Sequence, residues 1–136
     1  MAQQRPKRTL GERHDDFWAW CGKGELRLQR CGACNRLSWP VVRACEHCGG
    51  AELSWERMSG HGKIVSWCTF DQDYYGGVLP TPYDAILVEL EEGPLFISNP
   101  KGFTERDIEM GMPVTLDFID CEDVAGPFRL PVFARG

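Results

Sequence analysis

Two Cys-x2-Cys pairs, Cys31-Gly-Ala-Cys34 and Cys45-Glu-His-Cys48, stand ten residues apart in a chain of 136 residues, and nothing else in it restricts the fold as strongly. Such a turn presents two thiolates from one tight loop. A second turn on a facing hairpin completes a tetrahedron of soft ligands at about 2.3 Å from Zn(II). Four cysteines leave no position open for water, so the expected ion is structural, one per chain, held by Cys31, Cys34, Cys45 and Cys48. Iron in the same tetrahedron is the alternative, and His47 is expected as an exposed knuckle residue. Glu25 to Arg30 alternates apolar and polar residues and leads into Cys31 as a strand, and the segment Asn35 to Ala44 is strand-like as well. A hairpin this small cannot bury a core of its own and depends on its metal.

The cysteine count is seven, an odd number, and the first residues lack the apolar run of an export signal, which argues against a disulfide framework. No stretch approaches the roughly 18 apolar residues of a membrane span. A cytoplasmic protein is expected, with no membrane partner. Cys21, Cys68 and Cys121 lie in no nucleophile motif and are expected as buried small hydrophobes.

Glycine (15) and proline (9) fall between short Val, Ile, Leu and Phe runs rather than inside long periodic segments, so the chain reads as mainly β. Residues 1–9 are polar and basic, a loose tail by this reading. A helix is expected from Leu10 to Cys21, with Leu10, Phe17 and Cys21 on one face. Beyond the ribbon come five strand candidates, Lys63–Phe70, Tyr83–Leu90, Pro94–Asn99, Met112–Ile119 and Arg129–Ala134. A short helix is expected over Phe103–Gly111, capped by Thr104. The order β-β-β-α-β-β is that of an OB-fold barrel, and the Gly60/Gly62 pair suits the bend of its first strand. The expected organisation is tail and helix over 1–23, zinc ribbon over 24–58 and five-stranded OB fold over 59–136.

The net charge of −5 hides an asymmetry. Residues 1–63 carry 11 Lys/Arg against 7 Asp/Glu (+4), and residues 64–136 carry 4 against 13 (−9). Nucleic-acid binding depends on a basic face that neutralises phosphates, and the barrel half has the wrong sign for it. No G-x-S-x-G, phosphate loop or H-E-x-x-H is present, and His14, His47 and His61 have no visible catalytic partners. The connection from Asp71 to Tyr83 is longer than a hairpin needs and rich in Tyr, Gly and Pro. It either binds something or plugs the open end of the barrel.

The segments Gly24-Glu-Leu-Arg-Leu-Gln-Arg-Cys31-Gly-Ala-Cys34, Trp39-Pro40, Cys45-Glu-His-Cys48-Gly and Ser59-Gly-His-Gly-Lys63-Ile-Val-Ser-Trp together resemble the family labelled domain of unknown function 35. That family joins an N-terminal helix, a rubredoxin-like zinc ribbon and an OB fold. The resemblance covers the chain from about Phe17 onward. It implies a non-catalytic accessory subunit of a thiolase-like enzyme acting on acyl-CoA thioesters, with catalysis on the partner. The Tyr74–Asp84 and Glu89–Asn99 segments look most like members paired with lipid-transfer-protein-like relatives, which implies a retro-aldolase of steroid side-chain degradation. Thiolase, hydroxymethylglutaryl-CoA synthase and acyltransferase complexes are the alternatives within the family, and a nucleic-acid-binding ribbon–OB protein is the alternative outside it. Under this reading Arg36, Arg43 and Lys63, among the ribbon cations that include Arg27 and Arg30, are candidates for the CoA phosphates. Phe17, Trp18, Tyr74, Tyr75 and Tyr83 are candidates for the partner interface. The opposing reading makes the arginines a solvated face.

Overall fold

Alternating burial along short extended runs organises most of this chain, and one amphipathic helix packs against the result. The computed structural model describes residues 2–136. In chain order the elements are β1 (Gln3–Gln4), α1 (Glu12–Gly22), β2 (Arg27–Cys31), β3 (Leu37–Ser38), β4 (Leu53–Arg57), β5 (His61–Phe70), β6 (Tyr83–Leu90) and β7 (Leu95–Ser98). A single 3-10 turn at Glu105–Asp107 follows, then β8 (Pro113–Asp123) and β9 (Gly126–Arg135).

The ribbon is a three-stranded antiparallel sheet in the order β3-β2-β4, with Gln29 opposite Ser38 and Cys31 opposite Leu53. Its central strand buries Leu28 and Gln29 alike. A buried amide is tolerated only when both its ends are bonded. Gln29 meets that condition: its Nε2 donates to the Val42 carbonyl (2.9 Å) and its Oε1 accepts from the Val42 N–H (2.8 Å). This tie holds the loop before Cys45 against the sheet.

The second sheet runs β7-β6-β5-β8-β9, the strand neighbourhood of an OB fold. Its ends meet beyond β7, where the Phe133 N–H donates to the Asn99 carbonyl (3.2 Å) and the Lys101 N–H to the Phe133 carbonyl (2.8 Å). The register of β5 on β6 shifts between Ile64 and Ser66, a bulge that bends the strand. Gly62 has a packing reason: a Cβ there would sit 2.6 Å from Val88 Cγ1 and 2.8 Å from the Glu89 carbonyl oxygen. Ile64, Ile86, Val88, Leu90, Phe96, Val114 and Phe133 fill the barrel and share one core with Leu26, Leu28 and Met58 of the ribbon and Phe17 and Cys21 of α1.

Several expectations are corrected. The region 103–111 holds one 3-10 turn, not a helix. The capping signal is real, since the Thr104 N–H donates to Asp107 Oδ2 (3.0 Å), but Ile108 turns into the core after a single turn. The last two strands are longer than expected and form one continuous hairpin, because Asp123 accepts the Ala125 N–H (2.8 Å) and closes a tight turn. Between the two cysteine pairs only Leu37–Ser38 is strand.

The N-terminal segment is not a loose tail. Gln3 and Gln4 pair in parallel with Cys121 and Glu122 of β8. Arg8 then lays its guanidinium over the Phe128 ring (4.4 Å) and onto Asp123, whose side chain is wholly buried. Asp123 accepts from Arg8 Nη1 (2.7 Å), from the Arg8 N–H (3.0 Å) and from Ala125. Burial pushes this carboxyl up, and the three bonds outweigh it, so its pKa ends below the usual range. Leaving one partner of such a pair alone is costly. We expect Asp123→Ala to destabilise the chain by about 2–4 kcal/mol and to speed amide exchange over residues 3–8, read by denaturant melts and exchange mass spectrometry. Wild-type exchange in that segment would contradict the assignment.

Candidate metal centre and partner-facing surfaces

The β2–β3 hairpin and the loop before β4 bring Cys31, Cys34, Cys45 and Cys48 together, with all four sulfurs within 4.8 Å of one another. Cys31 and Cys48 Sγ are 3.5 Å apart, and Cys34 and Cys45 Sγ 3.6 Å. A tetrahedron with metal–sulfur bonds near 2.3 Å has edges of about 3.8 Å, so the constellation has the size of a tetrahedral thiolate site.

Backbone N–H groups point at the sulfurs: Ala33 (3.3 Å) and Cys34 (3.5 Å) at Cys31, His47 (3.3 Å) at Cys45 and Gly50 (3.4 Å) at Cys48. Donors aimed at sulfur favour thiolate over thiol. The N–H groups of Cys34 and Ala33 lower the Cys31 thiol. Burial opposes ionisation at Cys45, yet the N–H groups of His47 and Cys48 and the adjacent sulfurs bring it to about 6. Cys34 moves the other way, to about 11, because burial and the neighbouring sulfurs outweigh the N–H of Arg36. Four thiolates cannot coexist at this spacing without a dication between them, which is the condition a divalent ion satisfies. Gly50 belongs to the same cradle, since a Cβ there would stand 3.2 Å from Cys31 Sγ and 3.4 Å from Cys48 Sγ. His47 faces away, its Nε2 3.1 Å from the Leu37 carbonyl oxygen.

The remaining candidates scatter. Arg36 is exposed in a groove shared with His47, Glu46 and Leu95, Arg43 stands 3.6 Å from Glu12, and Lys63 3.4 Å from Glu89. Arg36 and Arg43 line different cavities. Arg27 and Arg30 are not free cations: Arg27 pairs with Glu25 (2.7 Å) over the Trp20 ring, and Arg30 binds Glu56 through two nitrogens.

Among the interface candidates, Phe17 is corrected. It is 3% exposed and packs at a tilt against Trp39 (centroids 4.9 Å), so this aromatic of α1 closes the core and is not presented to a partner. Trp18 is half-buried, edge-on to Phe128, its indole N–H donating to the Thr9 carbonyl (3.0 Å). Tyr74 and Tyr75 are 64% and 46% exposed on the Asp71–Tyr83 connection, and Tyr83 stacks on Phe70 (5.0 Å). Cys21 and Cys121 are buried, whereas Cys68 is exposed. Two functional features carry no sequence signal that local pattern could detect: the amide tie of Gln29 and the Arg8–Asp123 pair.

Cys34→Ser and Cys48→Ser should each abolish stoichiometric metal binding, taking zinc from about one per chain to near zero by elemental analysis, and should unfold the ribbon. Full metal content in both variants would dismiss the site.

Residues 18–54 match the rubredoxin-like zinc ribbon domain of ChsH2, and residues 55–118 match the ChsH2 C-terminal OB-fold domain. The chain is 33% identical over 138 residues to the "Probable enoyl-CoA hydratase alpha subunit" of Thermomonospora curvata, covering 98% of this chain and 42% of that protein. It is 31% identical over 107 residues to the 3-oxo-4,17-pregnadiene-20-carboxyl-CoA hydratase alpha subunit of Mycobacterium tuberculosis, covering 79% of this chain and 34% of that one. The chain thus spans less than half the length of these two relatives. Among solved structures, a chain of the "Ltp2-ChsH2(DUF35) aldolase" superimposes with a TM-score of 0.82 at 29% identity, covering 95% of this chain and 98% of that chain. In a ribbon of this type the four-cysteine centre is a structural zinc site with one ion per chain. With its ribbon, its barrel and their order all matched, the chain belongs to the DUF35 family of zinc-ribbon OB-fold proteins.

Proposed function

We propose that this chain is the non-catalytic accessory subunit of a cytoplasmic retro-aldolase that shortens steroid side chains as CoA thioesters, the catalytic groups residing on a thiolase-like, lipid-transfer-protein-like partner. The observation that carries this reading is the end-to-end likeness to the DUF35 chain of an aldolase, 0.82 in TM-score with almost the whole of both chains aligned. The site chemistry supports it. Among the described residues no hydrogen bond joins a serine, threonine or cysteine side chain to a histidine ring, so no activated nucleophile is assembled. A four-thiolate zinc has no open position for substrate. The longer hydratase subunits that contain a similar segment act on CoA thioesters by their names, which supports a module recruited to that substrate class.

In this reading the exposed Tyr74 and Tyr75 contact the catalytic subunit, with Tyr83 and Trp18 behind them. Arg36, which has no ion pair among the described residues, and Arg43 face the CoA phosphates. Lys63, already beside Glu89, contributes less.

Retro-aldol turnover of a steroid side-chain CoA thioester should require both chains, with none from this chain alone. Tyr74→Ala with Tyr75→Ala should weaken assembly by about tenfold or more, measured by calorimetry. Arg36→Glu with Arg43→Glu should raise the complex's KM severalfold without dissociating it. Turnover by the isolated chain would overturn the accessory role, and an unchanged KM would make the two arginines a solvated face.

A further inference from the structure

The barrel is not sealed between β7 and β9, and one residue accounts for it. Neighbouring residues of a strand turn their backbone groups to opposite sides. The Asn99 carbonyl and the Lys101 N–H both meet Phe133 of β9, so Ile97 and Leu95, two and four residues earlier in phase with Asn99, face the same side. The hairpin gives the same phase independently: the Leu90 N–H donates to the Pro94 carbonyl, which puts residues 94, 96 and 98 in contact with β6. On β9 the next residue in phase with Phe133 is Pro131, which has no N–H to offer Ile97. Its carbonyl is taken by Ser98 Oγ instead (3.0 Å). The ladder therefore stops at Asn99. Leu95 and Ile97 make no backbone bond on the seam side among the described residues, and their side chains are 49% and 72% exposed.

This free edge borders a cavity of about 480 Å³ walled by aromatic rings, including Trp39, Tyr75, Tyr83 and Phe128. The charged residues in its lining are Arg5, Lys7 and Arg8, with no carboxylate among them. Arg8 is neutralised by Asp123, but Arg5 meets only the side-chain carbonyl of Asn99 (3.4 Å), and Lys7 is in no ion pair among the described residues. Burial of the Arg5 guanidinium lowers its pKa, as expected of a charge held without a counter-ion. Unpaired edge strands with apolar side chains are sites of strand addition.

We propose that the β7 edge from Leu95 to Ile97 accepts an extended segment of the catalytic subunit as an added strand, with apolar side chains against the aromatic wall and a carboxylate side chain at Arg5 and Lys7. The identity of the partner rests on the accessory-subunit reading; the strand-addition mode does not.

Amide exchange of the full chain, alone and in complex with the thiolase-like subunit, tests it. Leu95 and Ile97 amides should exchange rapidly in the free chain and slow by about tenfold or more in the complex. Ile97→Pro, which removes a seam-side N–H and no β6 bond, should keep its zinc while weakening assembly by about tenfold. Should that variant not fold, Arg5→Glu with Lys7→Glu serves instead and should weaken assembly comparably. Assembly at full strength with unchanged exchange at both amides would overturn strand addition and leave the accessory role standing. Slowing by a CoA thioester in the absence of the partner would overturn it in favour of a small-molecule site. Failure of any complex to form would defeat the accessory reading itself.

Discussion

A run of four rings joins everything in this molecule. Phe17 of α1 meets Trp39 of the ribbon at 4.9 Å, Trp39 meets Phe96 of the barrel at 4.7 Å, and Phe96 meets Phe133 at 6.2 Å. Helix, ribbon and barrel thereby share one core. The zinc centre fixes the hairpin that carries Trp39, and Gln29 pins the loop between Trp39 and Cys45 to the central ribbon strand. The metal thus acts at a distance: it sets the place of Trp39, and Trp39 packs between Phe17 of α1 and Phe96 of the barrel.

Under the accessory role proposed above, that coupling gives the chain a way to matter to a catalytic partner. A partner that contacts both the ribbon face near Arg36 and the barrel connection at Tyr74 and Tyr75 reads two surfaces held in fixed relation. Packed cores are not continuously deformable, so an error at one surface is felt at the other. Proline at position 131 breaks what would otherwise be a sealed ring, and it opens the barrel on the side flanked by the Arg5–Thr9 segment and α1.

The legible parts of the fold are those where chemistry or alternation acts locally. The metal site follows from four cysteines at two fixed spacings, and the barrel strands follow from apolar alternation and the glycines that punctuate it. Phe17 shows the limit of that logic, because a hydrophobic residue on an amphipathic helix looks the same whether it meets its own core or another protein. Gln3 and Gln4 have no strand propensity to advertise; they pair because Arg8, held by an aspartate 115 residues away, draws the segment onto β8. At 103–111 the cap at Thr104 was a correct local signal, overruled after one turn by the burial of Ile108. The seam could not be seen in Pro131 alone, since its meaning depends on which strand faces it.

Calorimetric unfolding of Trp39→Ala tests the shared core most directly. The zinc-loaded wild type should unfold in one transition. The variant should keep its zinc and resolve into two, one abolished by chelation and belonging to the ribbon, the other belonging to the barrel and indifferent to it. A single transition in Trp39→Ala, at the wild-type temperature and with full zinc, would show that helix, ribbon and barrel are joined by something other than this run of rings.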